Sequence, residues 1–248
     1  MTSYARPLVI RCPKCRSHLH RRRLQSFNDF GAMGWSDGYT SIWGLNSVSD
    51  LGRCPHCKKI FWIDDAEAMG VLPKEPDRIG WVARIYYWIM RDSGRDLERE
   101  RNWNSTPWEW KNAKPVDLPD FVDMKIALKD AEHLTLAREA LLRRAIWREG
   151  NDHLRINRDG KPLREKPRLM DADAQENLLK LLSLIDAGVD AFATERGEIL
   201  RQLGRFDDAI EALLVVGENH QEQADMIIEF ARKGDSKVRE LWRSQYDF

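Results

Sequence analysis

Apolar and polar positions change rhythm along this chain. Leu8-Val9-Ile10 is a short unbroken apolar run, and Ile60-Phe61-Trp62-Ile63 is its counterpart further on; both predict strands. Between them, Phe30-Gly-Ala-Met-Gly-Trp-Ser-Asp-Gly-Tyr39, followed by Ile42-Trp43-Gly44-Leu45, is rich in Gly, Ser and Asp, which suits turns and short strands rather than a helix. Beyond Pro73-Lys-Glu-Pro76 the spacing lengthens. Ile79, Val82, Ile85, Tyr86 and Ile89 predict a helix near 77–91. From Leu118 onward the pattern is almost purely helical. Leu134, Ala137, Leu141, Ala145 and Ile146 place an apolar stripe on a helix of about 135–149, and Leu178, Leu181, Leu182 and Ile185 do so on the next. Asn151–Lys166, polar and followed by Pro167, reads as a loop. The resulting class is α+β: a small β-rich module over 1–72, a Trp-rich connector over 73–116, and an all-α domain of helical hairpins over 117–248.

Composition narrows this picture. The 248 residues carry 40 basic and 40 acidic side chains, so no global field draws the protein to nucleic acid or an anionic membrane. The balance is uneven, because Arg6, Arg11, Lys14, Arg16, Arg21, Arg22 and Arg23 precede Asn28 without an acid among them. No apolar run approaches the ~20 residues of a membrane helix; Trp81–Met90 is the nearest and contains Arg84. Met1-Thr-Ser-Tyr-Ala-Arg-Pro7 lacks the apolar core of a secretory signal, so a cytoplasmic, reducing location is expected, without membrane association.

The candidate chemistry lies in four cysteines, arranged as Cys12-Pro-Lys-Cys15 and Cys54-Pro-His-Cys57. Two Cys-x-x-Cys turns are the ligand spacing of a tetrahedral metal site, and a reducing compartment favours ligation over disulfides or free thiols. The pattern resembles the two knuckles of a zinc ribbon, each beside a strand. That resemblance implies a structural Zn2+ on Cys12, Cys15, Cys54 and Cys57; iron in a rubredoxin-like site would have the same ligands. Two departures stand out. Arg16 and Lys58 follow the pairs where Gly is common, and the 38 residues from 16 to 53 exceed the gap of a minimal ribbon. Four thiolates close the coordination sphere, so His18, His20 and His56 read as loop histidines rather than ligands.

A second resemblance covers 190–220. Ala193-Thr-Glu-Arg-Gly197-Glu-Ile-Leu200-Arg-Gln-Leu-Gly204-Arg-Phe206-Asp-Asp-Ala209-Ile-Glu-Ala-Leu213-Leu-Val-Val216 resembles a tetratricopeptide repeat. Gly197 and Ala209 are small where two helices cross, Gly204 ends the first, Phe206 packs over the turn, and Leu200, Leu213 and Val216 fill between. Ala193 departs from the family, which usually has a large aromatic there. Flanking helices over 219–233 and 235–246 would complete a stacked array from about 173.

Other features have plainer readings. Arg21–Arg23 beside a metal module are candidate nucleic-acid contacts, against a solvated edge. Trp103, Trp108 and Trp110 suit a thin core better than base stacking. Arg138-Glu139 and Arg143-Arg144 read as solvated faces. Trp147–Arg155 gathers polar groups at a helix end without a nucleophile–base pair; Asn151 as a C-cap and a local Asp152–Arg155 pair account for it. No phosphate-cradling loop or hydrolase motif is present. Tetratricopeptide arrays offer a groove to segments of other proteins, so the two resemblances imply a non-enzymatic adaptor that takes a protein partner. A nucleic-acid-associated factor using Arg21–Arg23 is the alternative. The whole resembles bacterial zinc-ribbon proteins with helical tails.

Overall fold

Strand β1 (Ser3–Arg11) carries the apolar run Leu8-Val9-Ile10 near its end, and its pairing explains why Val9 and Ile10 are buried and Leu8 half-buried. It lies between β2 (His18–Ser26) and β7 (Glu67–Val71), antiparallel to both. Pro7 lacks an N–H, and the β1–β2 register shifts between Ala5 and Leu8 around it, while its carbonyl accepts from Leu72 N at 2.9 Å. Strands β5 (Leu51–Arg53) and β6 (Ile60–Trp62) form a separate hairpin, continued by a 3-10 turn over Ile63–Asp65. The computed structural model describes residues 3–27, 31–41, 50–76, 94–130, 132, 134–157 and 159–244. The helix expected at 77–91 and the Ile42–Leu45 segment lie outside them.

The chain divides into two units that do not follow its linear order. The first comprises Met1–Asn28 and Leu45–Pro119; the second comprises Asp29–Gly44 and Asp120–Phe248. This grouping differs from a division at 72 and 116 in two respects visible in the packing. Residues after 72 complete the first unit: helix α1 (Gly94–Ser105) and helix α2 (Trp108–Lys111) precede β8 (Lys114–Pro115), which extends the sheet to the order β7-β1-β2-β8. Val116 reaches the core formed by Ile10, Leu19, Phe61 and Ile63, and Trp110 covers β7 at Gly70. Residues before 45 complete the second unit: β3 (Met33–Trp35) and β4 (Thr40–Ser41) join β9 (Glu240–Arg243) in a sheet of order β4-β3-β9.

The second unit is otherwise helical. Helix α3 (Phe121–Ala127) starts in a capping box between Asp120 and Asp123, and α4 (Leu136–Gly150) starts at Thr135, whose hydroxyl accepts from Arg138 N at 3.2 Å. Helices α5 (Asp171–Asp186), α6 (Glu195–Gln202), α7 (Phe206–Leu214) and α8 (Gln221–Arg232) follow, each packed on its chain neighbour. The α5 stripe buries Leu178, Leu181 and Leu182 as its spacing predicts. The α4 stripe does not. Of its members only Ile146 is buried; Ala137 and Leu141 face solvent, and Ala140, Leu142 and Trp147 are buried in their place. That helix is apolar on two sides, and its inward side is the one that also carries Arg144, paired with buried Glu195.

The helix expected over 235–246 is not formed over 235–244, where Glu240–Arg243 is strand β9 instead. Val238 and Leu241 have helical spacing, yet β9 pairs with β3 through Gly34↔Trp242 and Met33↔Arg243. Gly34 leaves its strand face bare, and the Trp242 indole lies across it: a Cβ at Gly34 would sit 2.0 Å from Trp242 Nε1. Long-range pairing decides the conformation there, over local periodicity.

Candidate metal centre

Each cysteine pair sits in a tight turn at a strand end. Arg16 N donates to Cys12 O and Lys58 N to Cys54 O, both at 2.9 Å, and the turns close as Cys12 N donates to Ser17 O and Cys54 N to Lys59 O. Arg16 and Lys58 have φ of 63° and 60°, the only positive values at non-glycine positions among the described residues. Both turns therefore take the left-handed residue that the sequence supplies without glycine, at a cost of about 1–2 kcal/mol each. β1 and β2 carry one turn and β5 and β6 the other, so the sheet and the hairpin set the four sulfurs against each other.

All four Sγ atoms lie within 4.8 Å of one another. Cys12 and Cys57 are 4.0 Å apart, and Cys15 and Cys54 are 3.7 Å apart. A tetrahedral site with metal–sulfur bonds of ~2.3 Å has edges of about 3.8 Å, so the arrangement fits a tetrahedral cation. The electrostatics agree. Burial pushes the Cys54 thiol up to about 12 and raises Cys12, although N–H groups of Lys14 and Cys15 face Cys12 and those of His56 and Cys57 face Cys54. The Ser17 side chain and N–H instead hold the exposed Cys15 thiol down to about 6. Four sulfurs packed this closely become thiolates together only around a cation, which supplies the missing positive charge. With all four positions taken by sulfur, the site is closed. The four cysteines can hold one metal ion.

The remaining candidate residues are scattered. Neither His18, His20 nor His56 joins the cysteine cluster. His20 is partly buried on β2, with Nδ1 lacking a hydrogen-bond partner among the described residues; burial and the neighbouring Arg22 lower its pKa. The three arginines do not form one patch. On regular β2, Arg21 and Arg23 point to one face and Arg22 to the other. Arg21 is 3.6 Å from Asp50, whereas Arg22 and Arg23 are exposed. Of the tryptophans, Trp110 packs on β7, Trp103 lies 5.4 Å under the Lys111 ammonium, and Trp108 is 73% exposed.

Gly197, Leu200, Gly204, Phe206, Ala209 and Leu213 all fall in the α6–α7 hairpin. Gly197 meets the Leu213 side chain so closely that a Cβ would lie 2.4 Å from Leu213 Cγ. Leu200 and Ala209 are fully buried, Gly204 ends α6 with φ of 76°, and Phe206 starts α7.

What sequence reasoning missed is a buried polar network in the second unit. Arg143 and Arg144 are not solvated: Arg143 pairs with Glu139, and Arg144 makes a two-pronged pair with buried Glu195 at 2.6 and 2.9 Å. Glu198 and Arg201 pair at 2.7 Å with both side chains wholly buried, and Ser36 Oγ donates to Glu198 at 2.7 Å. The Asp152–Arg155 pair is present at 2.8 Å, but Arg155 also pairs with buried Asp37 from the β3–β4 turn, and Asn151 Nδ2 donates to Asp37 at 2.9 Å. An oppositely charged Glu198/Arg201 pair amid Ile199 and Leu200 was the one local signal of this.

Comparison with protein-family models, curated proteins and solved structures finds no match to this chain.

Proposed function

We propose that the protein is a non-enzymatic adaptor, in which a zinc-ribbon-like unit with a structural zinc ion accompanies a tetratricopeptide-like helical unit that holds a segment of another protein. The observation that carries this reading is at the end of the α6–α7 hairpin. Leu213 is buried, while the adjacent Leu214 and Val215 are 62% and 84% exposed. Apolar side chains placed in water beside a helical hairpin suit a partner's apolar segment. The four-cysteine cluster supports a structural metal, since it takes in all four cysteines and ligation would leave none for nucleophilic or redox work. Zinc is the ion proposed, and elemental analysis separates it from iron. Affinity capture of the tagged full chain, read by mass spectrometry beside a Leu214→Ser/Val215→Ser variant, tests the adaptor role. A partner enriched on the parent and lost from the variant is expected; equal capture by both would refute the reading.

The nucleic-acid alternative has its own support. Helix α2, with exposed Trp108, lies against β2, which exposes Arg22 and Arg23. An exposed indole on a helix packed against a strand that carries exposed cations suits an unpaired base and its phosphate. The Arg21–Asp50 pair weighs against it. Titration of a labelled single-stranded oligonucleotide at physiological salt is expected to show no binding; salt-sensitive binding lost in Arg22→Ala/Arg23→Ala would reverse the preference.

A further inference from the structure

The second unit holds a cleft of about 230 Å³ between the β3–β4 hairpin, the start of α6 and β9. Its walls are largely aromatic, from Trp35, Tyr39, Phe192 and Trp242, and its one charged lining residue is Arg148 near the end of α4. Arg148 has an unusual position. Its Nε donates to the Asp37 carbonyl at 3.2 Å and its guanidinium lies 5.7 Å from the centre of the Phe192 ring. The Asp37 carboxylate is taken by Arg155 and Asn151, and Glu195 is taken by Arg144. No carboxylate among the described residues pairs with Arg148. Neither Nη atom makes a hydrogen bond among those residues, and neither is sealed from solvent.

Nη2 stands beside Gly38, where a Cβ would approach it to 3.0 Å and the Phe192 ring to 2.8 Å. Gly38 has φ of 70°, so the turn both needs glycine and leaves this corner of the cleft free. The chemistry follows from the parts. A guanidinium drawn partly out of water, with two unpaired Nη groups and with the neighbouring Asp37 and Glu195 carboxylates bonded to other partners, is matched by a carboxylate. Burial lowers the Arg148 pKa from its usual value, the sign of a cation short of solvent. Flat apolar walls match a ring. The volume is below the roughly 300–1,000 Å³ of sites for drug-sized ligands, which limits the occupant to about one ring and a short acid arm.

We propose that this cleft binds a small organic acid bearing one aromatic ring, with its carboxylate on Arg148 and its ring among Trp35, Phe192 and Trp242. The site goes beyond the adaptor reading and does not depend on it. Isothermal titration of the metal-loaded full chain with phenylacetate, beside phenylacetamide as its uncharged counterpart, tests it. Saturable binding of one phenylacetate per chain, at least about tenfold tighter than the amide, is expected. Arg148→Met should lose at least about tenfold in phenylacetate affinity, with Arg148→Lys between the two because it keeps charge without the fork. Equal affinity for acid and amide, or no saturation by about 10 mM, would overturn the proposal, as would undiminished binding in a folded Arg148→Met protein. Should that variant fail to fold, the acid–amide comparison on the unaltered chain decides.

Discussion

At Lys58 and Arg16 a side chain occupies backbone that glycine would enter freely, and the surrounding turn holds it there. The two residues are not equivalent outside the turn. Arg16 also reaches Glu67 at 3.3 Å, whereas the Lys58 ammonium is 3.9 Å from Asp117, both largely in solvent. Such exposed pairs contribute about 0–1 kcal/mol, so backbone strain dominates at Lys58. Lys58→Gly removes about 1–2 kcal/mol of strain but adds about 0.4–1 kcal/mol of unfolded-state freedom, and should be neutral to slightly stabilising. Lys58→Val adds a branched Cβ at the same φ and should destabilise the metal-bearing unit by more than about 1 kcal/mol. Chemical unfolding of both variants in the metal-loaded state checks the opposite signs. The buried arginines carry a different lesson. Arg155 and Arg201 are wholly buried, and their partners Asp37 and Glu198 are equally so. Such pairs weigh more in fixing one arrangement than in net stability, because desolvation offsets much of their attraction.

Among elements, the α6–α7 hairpin makes the sharpest demand on side-chain size. Gly197→Ala gains up to about 1 kcal/mol of helix propensity yet forces a Cβ into the Leu213 side chain, where overpacking costs about 1–3 kcal/mol. Net destabilisation of the second unit by about 1 kcal/mol is expected. Leu213→Ala alone should cost about 2–5 kcal/mol, and the double variant should be more stable than the sum of the two predicts. Thermal melts of the four proteins complete the cycle; strict additivity would mean the two residues do not meet. This element was legible in the sequence because its constraints are local: a small residue, a turn glycine and an apolar groove fall within about twenty residues. The cysteine turns and α5 were legible for the same reason. The inward face of α4 was not, since Leu136 and Leu141 are as apolar as the residues that are buried. Nor was β9, whose conformation depends on Gly34, far away in the chain. Asp37 looked like any turn residue until Arg155 closed on it.

For the whole molecule, the two units have different sources of folding energy. The first has Cys12 and Cys54 inside a core with Ile10, Leu19, Phe61 and Ile63, and a four-thiolate metal contributes on the order of 10 kcal/mol to such a unit. The second has a core shared by α4, α5, α6 and α7, with a further cluster joining α7 to α8. A chelator in the presence of a reductant should therefore abolish one calorimetric transition and leave another, and Cys54→Ser should do the same. Acidification acts in the same direction, because protons compete with the metal for the thiolates. Loss of both transitions together would mean that the units unfold as one. No helix among the described residues is long and apolar enough to cross a membrane.

The assignment of Asp29–Gly44 to the second unit has a consequence for synthesis. Asp37 and Arg155 are 118 residues apart, which at about 5–20 residues per second separates their appearance by roughly 6–24 s. Throughout that interval the ribosome has delivered a turn bearing an acid meant for a buried site, with neither its arginine nor the strand β9 that flanks it yet made. The N-terminal ligands can collect their metal on time, but the loop between them must wait for the last strand of the chain. A newborn chain therefore finishes its units out of linear order: an early segment of the second unit is paired only when β9 emerges, and a stalled or truncated translation product would leave Trp35 and its neighbours open to chaperones.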